Sequence, residues 1–240
     1  MSTLLLRFAA PMQSWGSSSR FQTRDTSREP TKSAVIGMLG AALGKRRNEP
    51  IDDCARFNFG VRIDQPGRLL NDFQTARTLD NRQTFVSNRR YLSDAVFVVG
   101  IEDDIEKLIE YENAIKHPIF PLFLGRRSCP PAQPLVLGIR ENTSLLEALQ
   151  NEPWQASALY QKKQHSQQQV SLEIVIDTQF GVPSSYTQDD LPLSFDQNHR
   201  IYKSRSVMRI LAGATIDNQE ATEAINTTTS HDAITALEGK

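Results

Sequence analysis

Arginine side chains on polar loops are the residues of this sequence best suited to chemistry, and that chemistry is the binding of a polyanion. The net charge of the 240 residues is only −1, but residues 1–99 contain 15 Lys+Arg against 9 Asp+Glu. Thirteen of these 15 cations are arginine. A planar guanidinium group matches phosphate oxygens and base edges better than an ammonium group does. We therefore expect these arginines to converge on one anionic strand, with a solubilising charged surface as the alternative.

Three clusters of basic and polar residues are candidate RNA contacts. The first lies on a Ser/Thr-rich loop leading into a helix, where free backbone N–H groups and the helix dipole attract phosphate. In the second, arginines alternate with Phe73, Phe85 and Tyr91, whose rings can stack on unpaired bases. The third follows Gly125, which allows close approach of the backbone to a ligand. In order, the clusters contain Arg20, Arg24, Arg28, Lys32 and Ser33; Arg77, Arg82, Arg89 and Arg90; and Arg126, Arg127 and Ser128. For each cluster taken singly, a solvated charged face is the alternative.

Patterns for catalysis or metal binding are much weaker. Two cysteines are too few for a disulfide framework or a zinc site, and the four histidines have no metal-ligand spacing. Residues 40–46 fail as a phosphate loop, because Leu39 and Arg46 stand where such a loop has Gly and Ser/Thr. We predict no metal, no cofactor and no catalytic residue. An acid–base site in which the fold brings a His together with a distant Ser or Tyr is left open.

The elements that position these clusters follow the order strand, helix, strand, strand, helix, strand. This order is the ferredoxin-like split βαβ pattern, of which the RNA recognition motif is one form. Residues 1–140 therefore predict an α+β, ferredoxin-like (RRM-like) palm. Its strands are predicted at 3–9, 57–63, 94–101 and 135–139, and its helices at 31–43 and 103–116.

One excursion interrupts the palm and a weaker pattern follows it. Residues 71–93 lie between the second and third strands, where a hairpin would project from the sheet. Residues 141–212 predict a β-rich C-terminal extension. Residues 213–240 are rich in Thr, Asn and acidic residues and predict a loosely ordered polar tail. Because the sequence has neither a signal-peptide pattern nor an apolar run near ~20 residues, we expect a cytoplasmic protein that does not contact a membrane.

Four stretches of the sequence resemble the CasD family, whose members are subunits of the type I-E CRISPR complex called Cascade. The stretches, in chain order, are APMQSWG at 10–16, PTKSAVIGMLGAALG at 30–44, YLSDA at 91–95 and LGRRSCP at 124–130. The likeness extends over about residues 3–140 and is loose beyond them. This family belongs to the repeat-associated RNA-binding superfamily, so the resemblance implies a ferredoxin-like palm with a protruding thumb hairpin, which corresponds to residues 71–93.

The resemblance also implies a function. It implies a non-catalytic, RNA-binding subunit that caps the 5′ handle of the CRISPR RNA and takes part in antiviral defence. The implied neighbours are the Cascade backbone subunit and the large subunit, and target DNA is met indirectly through the complex. In a related CRISPR subtype the corresponding subunit cuts precursor RNA without a metal, so a metal-independent endoribonuclease is the alternative function. Motif position carries RNA-binding roles to Gln13, Trp15, Arg24, Arg28, Lys32, Arg126 and Arg127.

Overall fold

The protein is described here from a computed structural model of the chain. The described residues are 1–16, 23–51, 54–80, 82–183, 185–196, 199–219 and 221. Their elements, in chain order, are β1 (Ser2–Gln13), β2 (Thr23–Arg24), α1 (Lys32–Ala42), β3 (Asn58–Gln65), β4 (Arg68–Arg77), β5 (Thr84–Asp103), α2 (Ile105–Lys116), β6 (Val136–Arg140), α3 (Leu145–Asn151), α4 (Ala158–Lys163), β7 (Gln169–Asp177), β8 (Ser185–Ser194) and β9 (Ile201–Asp217). The predicted mixture of helices and strands is confirmed.

The described strands form one sheet in the order β6-β1-β5-β3-β7-β9-β8, and neighbours along this path are antiparallel. β4 pairs with the first half of β5 in a hairpin, and β2 adds to β5 in parallel. The strands that follow residue 140 therefore continue the same sheet beyond β3.

Side chains of the central strands alternate between two hydrophobic cores on opposite faces of the sheet. Leu4, Leu6 and Phe8 of β1 pack with apolar residues of α1 and α2. Leu5 packs on the other face with Leu149 of α3 and with residues of β7. Successive side chains of a strand point to opposite faces, so a strand covered on both faces is apolar without interruption. No helix among the described residues combines the length and apolar character needed to cross a membrane.

Helix α1 begins and ends where capping rules predict. The Thr31 hydroxyl oxygen accepts a hydrogen bond from the Ala34 N–H at 3.4 Å, which satisfies one free donor of the first turn. The helix ends at Ala42 with Leu43 as its C-cap, and Gly44 follows with a φ of +79°. A left-handed residue after the helix is a common stop, and glycine adopts it without a steric penalty.

The β4–β5 hairpin occupies the predicted excursion and starts slightly before it. Its register places Arg68 opposite Ser93 and Arg77 opposite Thr84. Most of its side chains are exposed, and Phe73 is 71% exposed. A two-stranded hairpin covers neither of its own faces, so these apolar side chains stay in contact with solvent unless a partner binds there.

The last described strand extends past the boundary that the composition predicts. Strand β9 runs to Asp217, five residues beyond the expected boundary at 212, because Ala214 and Ile216 alternate towards the core of α3 and β7. Thr and acidic neighbours mask this alternation in the composition. Strand β8 and helix α4 are not predicted from the sequence either. The rest of the expected tail, residues 222–240, lies outside the described residues.

Candidate nucleic-acid interface

Three basic segments that are distant in sequence meet at the base of the β4–β5 hairpin. Parallel pairing of β2 with β5 puts Arg24 beside Arg89. The loop after α2 reaches the same place, since Arg126 donates from Nη2 to the Arg24 carbonyl oxygen at 2.8 Å. Arg90 pairs with Asp25 at an Nη1–Oδ2 distance of 3.2 Å. The hairpin-base cluster is defined here as Arg24, Arg89, Arg90, Arg126 and Arg127.

Tyr91 contacts two members of the hairpin-base cluster, Arg89 and Arg126. The guanidinium carbon of Arg126 lies 4.5 Å from the centroid of the Tyr91 ring, a cation–π contact. Burial alone would raise the pKa of Tyr91, but hydrogen bonds with Arg126 and Ser128, the charge of Arg126 and a hydrogen bond with Arg89 outweigh it, so the pKa is lowered. Tyr91 is only 4% exposed, so its side chain orients arginines. The sequence had suggested that its ring stacks on an unpaired base, and the burial of the ring prevents that contact in this structure.

Gly125 lets the loop after α2 pack against β1 at this cluster. Its φ is +86°, and a Cβ added there would lie 1.6 Å from the Ser14 carbonyl oxygen. The Ser14 N–H donates to the Leu124 carbonyl oxygen at 3.2 Å, and the Leu124 N–H donates to the Cys129 carbonyl oxygen at 2.7 Å. A larger residue at position 125 would therefore push the following arginines away from the hairpin base.

Exposure separates the arginines that can meet a ligand from those that hold the fold together. Arg24 and Arg127 are exposed, and Arg90 is 47% exposed, so its pair with Asp25 is weak and leaves the guanidinium available. Arg62, in contrast, is fully buried and donates to both carboxylate oxygens of Asp64 at 2.7 and 2.9 Å. The expectation that all thirteen N-terminal arginines meet one strand is therefore wrong.

Arg77 and Arg82 lie farther out, at the tip of the hairpin. Both are exposed, and the Arg82 Nε is 3.7 Å from Asp80 Oδ2, which makes at most a weak surface ion pair. Phe73 and Phe85 are also exposed on the two strands. The hairpin therefore presents cations and aromatic rings together, although its tip is separate from the hairpin-base cluster.

The N-terminus of α1, expected to bind phosphate, is covered by carboxylates of the chain itself. The Lys32 N–H donates to Asp190 Oδ2, and its ammonium nitrogen lies near Asp177 Oδ2, both at 2.8 Å. Arg205 bridges the two acids, with its Nε 2.6 Å from Asp190 Oδ1. Lys32 is only 6% exposed. We name Lys32, Asp177, Asp190 and Arg205 the α1-cap ion cluster, and we leave Lys32 out of the candidate interface.

The other predicted residues divide between the core and the surface. Gln13 is buried, and its Nε2 donates to the Phe8 and Ala95 carbonyl oxygens at 3.2 and 2.7 Å. Trp15 is buried and stacks on Phe8, with ring centroids 5.5 Å apart. These two side chains therefore support the loop that carries Arg24 and cannot contact RNA directly in this structure. Arg28 and Ser128 are exposed, Ser33 is half-buried, and Arg20 lies outside the described residues.

Two parts of this site have no signal in the sequence. Asp25 positions Arg90, but it lies in a polar segment of the sequence. An acidic residue in such a segment is ordinarily predicted to be exposed to solvent. The acids of the α1-cap ion cluster lie in the weakly patterned C-terminal extension, and Asp190 is 158 residues from Lys32. Among the described residues, no group of three or more His, Cys, Asp or Glu side chains is arranged to hold a metal ion.

An exposed cluster of arginines on one part of a fold is a feature of the class of nucleic-acid-binding proteins. The model of the family described as CRISPR-associated protein (Cas_Cas5) matches residues 3–208. The chain belongs to this family, and the resemblance to CasD seen in the sequence is confirmed.

Individual relatives agree with this assignment. The CRISPR system Cascade subunit CasD of Escherichia coli (strain K12) is 36% identical over 171 residues, which are 62% of this chain and 76% of that protein. A chain of a solved CRISPR RNA-guided surveillance complex is 29% identical, with a TM-score of 0.72 over 94% of this chain and 98% of that chain. A solved Cas protein is 32% identical, with a TM-score of 0.68 over 91% and 96% of the two chains.

Proposed function

We propose that the chain is a non-catalytic RNA-binding subunit of a Cascade-type surveillance complex and caps the 5′ handle of the CRISPR RNA. Membership of the Cas5 family and similarity to a chain of an RNA-guided complex support this role. The observation that carries the proposal is the convergence of β2, β5 and the loop after α2 in one exposed hairpin-base cluster. The implied protein partners are the backbone subunit and the large subunit, and target DNA is met through the complex.

In this proposal, residues 1–140 form a ferredoxin-like palm and the β4–β5 hairpin is its thumb. The strand order β6-β1-β5-β3 and the two helices that cover one face are consistent with such a palm. Residues 141–212 then form an extension that lengthens the sheet.

The arginines of the hairpin-base cluster bind phosphates of the handle. Phosphate contacts fix the position and register of a strand without reading its sequence. Arg24 and Arg127 supply the exposed charge, while Arg126 is oriented by Tyr91 and by the Arg24 carbonyl oxygen. A guanidinium held in this way loses less conformational freedom when it binds a phosphate, because part of that freedom is already lost.

The exposed thumb contributes by stacking. Phe73 and Phe85 are 71% and 55% exposed, and the register places them on opposite faces of the hairpin, with Phe73 on the face of Arg77. Aromatic rings stack on unpaired bases of any identity, and each such contact is worth about 1–3 kcal/mol. We propose that these rings contact the guide where the handle meets the spacer.

The salt dependence of RNA binding tests the proposal. Each phosphate contact with a single strand contributes about 0.7 to the slope of log K against log salt, so replacing Arg24 and Arg127 by Gln should lower the slope by about 1.4. Fluorescence anisotropy with labelled handle RNA over a salt series measures it.

A matched control removes the same charge elsewhere. Arg46 and Arg47 are exposed in the loop after α1, outside the hairpin-base cluster. The double variant Arg46→Gln, Arg47→Gln should keep the wild-type slope. Equal slopes for both double variants would mean that the hairpin-base cluster does not bind the RNA backbone.

A further inference from the structure

A cavity of about 490 Å³ opens on the face of the sheet opposite α1 and α2, at the foot of the β4–β5 hairpin. Arg7, Ala9 and Pro11 of β1 line it on one side, and residues 155–158 line it on the other. Its volume falls within the range of small-molecule and cofactor sites. None of the residues singled out as RNA contacts from the sequence lines this cavity.

A kinked strand and a buried glutamine shape the cavity. Asp94 has a φ of +56°, which turns β5 at this point. Gln65, 2% exposed, donates from Nε2 to the Asp94 carbonyl oxygen at 2.6 Å, and its Oε1 accepts from the Ser157 N–H at 3.1 Å. The buried side chain of Gln65 thus holds Asp94 of β5 and Ser157 in fixed positions, so this part of the cavity is formed before a ligand binds.

Two charged side chains of opposite sign face this space. The carboxylate of Asp94 is exposed and has no hydrogen-bond or ion-pair partner among the described residues. Arg7 donates from Nη1 to Gln155 Oε1 at 3.2 Å, and its Nη2 has no hydrogen-bond partner within the described part of the chain. Its Nε also has no partner, but it is enclosed by the chain, so a ligand acceptor would bind at the Nη groups.

The lining between these charges is mixed. Ala9, Ala132 and Ala156 supply apolar surface, and Ser93, Gln133 and Gln155 supply polar groups beside it. Apolar surface suits the face of a planar ring, and the polar groups suit its edge. The negative charge of Asp94 disfavours a phosphate.

We propose that this cavity binds one unstacked guanine base, and that the base belongs to the guide RNA. This inference rests on the proposed function. The guanidinium of Arg7 donates to guanine O6 and N7, the pairing most often seen between arginine and a base. The carboxylate of Asp94 accepts from the guanine N1–H and N2–H groups, and adenine has neither of these groups. Uracil and cytosine have no acceptor pair like O6 and N7, so they cannot accept from Arg7 in this way and also donate to Asp94.

The position of the cavity agrees with a strand held at the hairpin-base cluster. Asp94 follows Arg90 by four residues in β5, about 13 Å along a strand. An RNA backbone bound at Arg90 can therefore direct a nearby nucleotide over the hairpin foot, where its base leaves the stack. Sequence-specific recognition of RNA commonly uses such splayed bases.

A guanine scan of the RNA tests the proposal with the full-length chain. A guanine-free strand of handle length plus the first spacer nucleotides receives guanine at each position in turn, and anisotropy measures each affinity. We expect one position at which guanine strengthens binding about 10-fold, within the range of a good bidentate base contact. Inosine at that position, which lacks the N2 amine, should lose part of the gain.

Three variants connect the effect to the cavity. Asp94→Asn keeps a residue that tolerates positive φ and should abolish the difference between guanine and inosine. Ala132→Phe should fill the cavity and remove the preference without changing charge. Glu110→Gln removes one negative charge from the exposed face of α2 and should leave the preference intact.

The outcomes separate this inference from the proposed function. No preferred guanine position, together with a normal salt slope for the wild type, would overturn the guanine site and leave RNA binding standing. A preference that survives both Asp94→Asn and Ala132→Phe would also overturn it. Saturable binding of free GMP that depends on Asp94, without any guanine preference in RNA, would overturn the RNA as the source of the base.

Discussion

Loss of Arg205 is the perturbation whose effect on stability follows most directly from the structure. Its side chain is 7% exposed and bridges Asp177 and Asp190 in the α1-cap ion cluster. Its Nη2 also donates to Gln188 Oε1 at 2.7 Å. Burial alone would lower the pKa of Arg205, but hydrogen bonds and charges of Asp190 and Asp177 raise it, so the guanidinium stays charged.

The magnitude follows from what Arg205→Met leaves behind. Met keeps the packing volume but removes the positive charge, so two carboxylates face the single cation of Lys32. Breaking a buried ion pair by removing one partner costs about 3–5 kcal/mol. The side chain of Asp177 is 16% exposed, and water reaching it offsets part of this cost. We therefore expect a loss near the lower end, about 3 kcal/mol of the free energy of unfolding.

Urea-induced unfolding followed by circular dichroism measures this loss. Lys203→Met provides the control, because Lys203 is an exposed cation two residues away on the same strand and surface substitutions usually change stability by less than about 0.5 kcal/mol. Adding Asp190→Asn to Arg205→Met removes the uncompensated charge, while the Asn carbonyl can still accept from the Lys32 N–H. The double variant should therefore recover about 1 kcal/mol or more relative to Arg205→Met.

Two results would refute this reasoning. A loss below about 1 kcal/mol for Arg205→Met would mean that water compensates the two acids as well as the guanidinium does. The second result compares the double variant with the two single variants. If Asp190→Asn lowers the free energy of unfolding by the same amount in the Arg205→Met background as in the wild type, the two residues act independently.

The remaining predictions concern Tyr91. Arg126→Gln removes a hydrogen bond and a nearby positive charge that favour the ionised phenol, so the pKa of Tyr91 should rise. Ultraviolet titration measures the change, and subtracting the titration of Tyr91→Phe isolates Tyr91 from the other four of the five tyrosines. An unchanged midpoint would contradict the assigned cause. Tyr91 is only 4% exposed and contacts arginines, so it is not placed to act as a base in the alternative endoribonuclease function. Labelled repeat RNA incubated with the chain in EDTA should remain uncut, and specific cleavage that is lost in Tyr91→Phe would establish the alternative.

Elements defined by neighbouring residues could be predicted from the sequence. Thr31 caps α1 and Gly44 follows its end, because capping depends on residues within one turn of the helix. The continuous apolar run at 95–99 is a central strand, as its composition indicates. The C-terminal extension was harder to predict, since Ala214 and Ile216 supply only a short alternation among polar neighbours.

The state of the α1 N-terminus could not be predicted in the same way. Residues 30–33 indicate correctly that free N–H groups and a lysine lie together. Whether these groups meet a ligand or the chain itself depends on Asp190, which arrives through the pairing of β8 with β9. No property of the segment 30–33 distinguishes a phosphate from an internal carboxylate, because both satisfy the same donors and the same dipole.

The same distinction applies to the arginines. Arg62 and Arg24 are equivalent in a count of charges, yet Arg62 donates to Asp64 and to the carbonyl oxygens of Leu149 and Glu152 inside the fold. Arg24 has an exposed side chain on a two-residue strand whose carbonyl oxygen holds Arg126. A buried arginine needs several acceptors, and the fold provides them only where loops close around it. Exposure at a point where distant segments converge is therefore the feature that leaves an arginine available to an anionic ligand, and it depends on tertiary pairing that a linear sequence does not display.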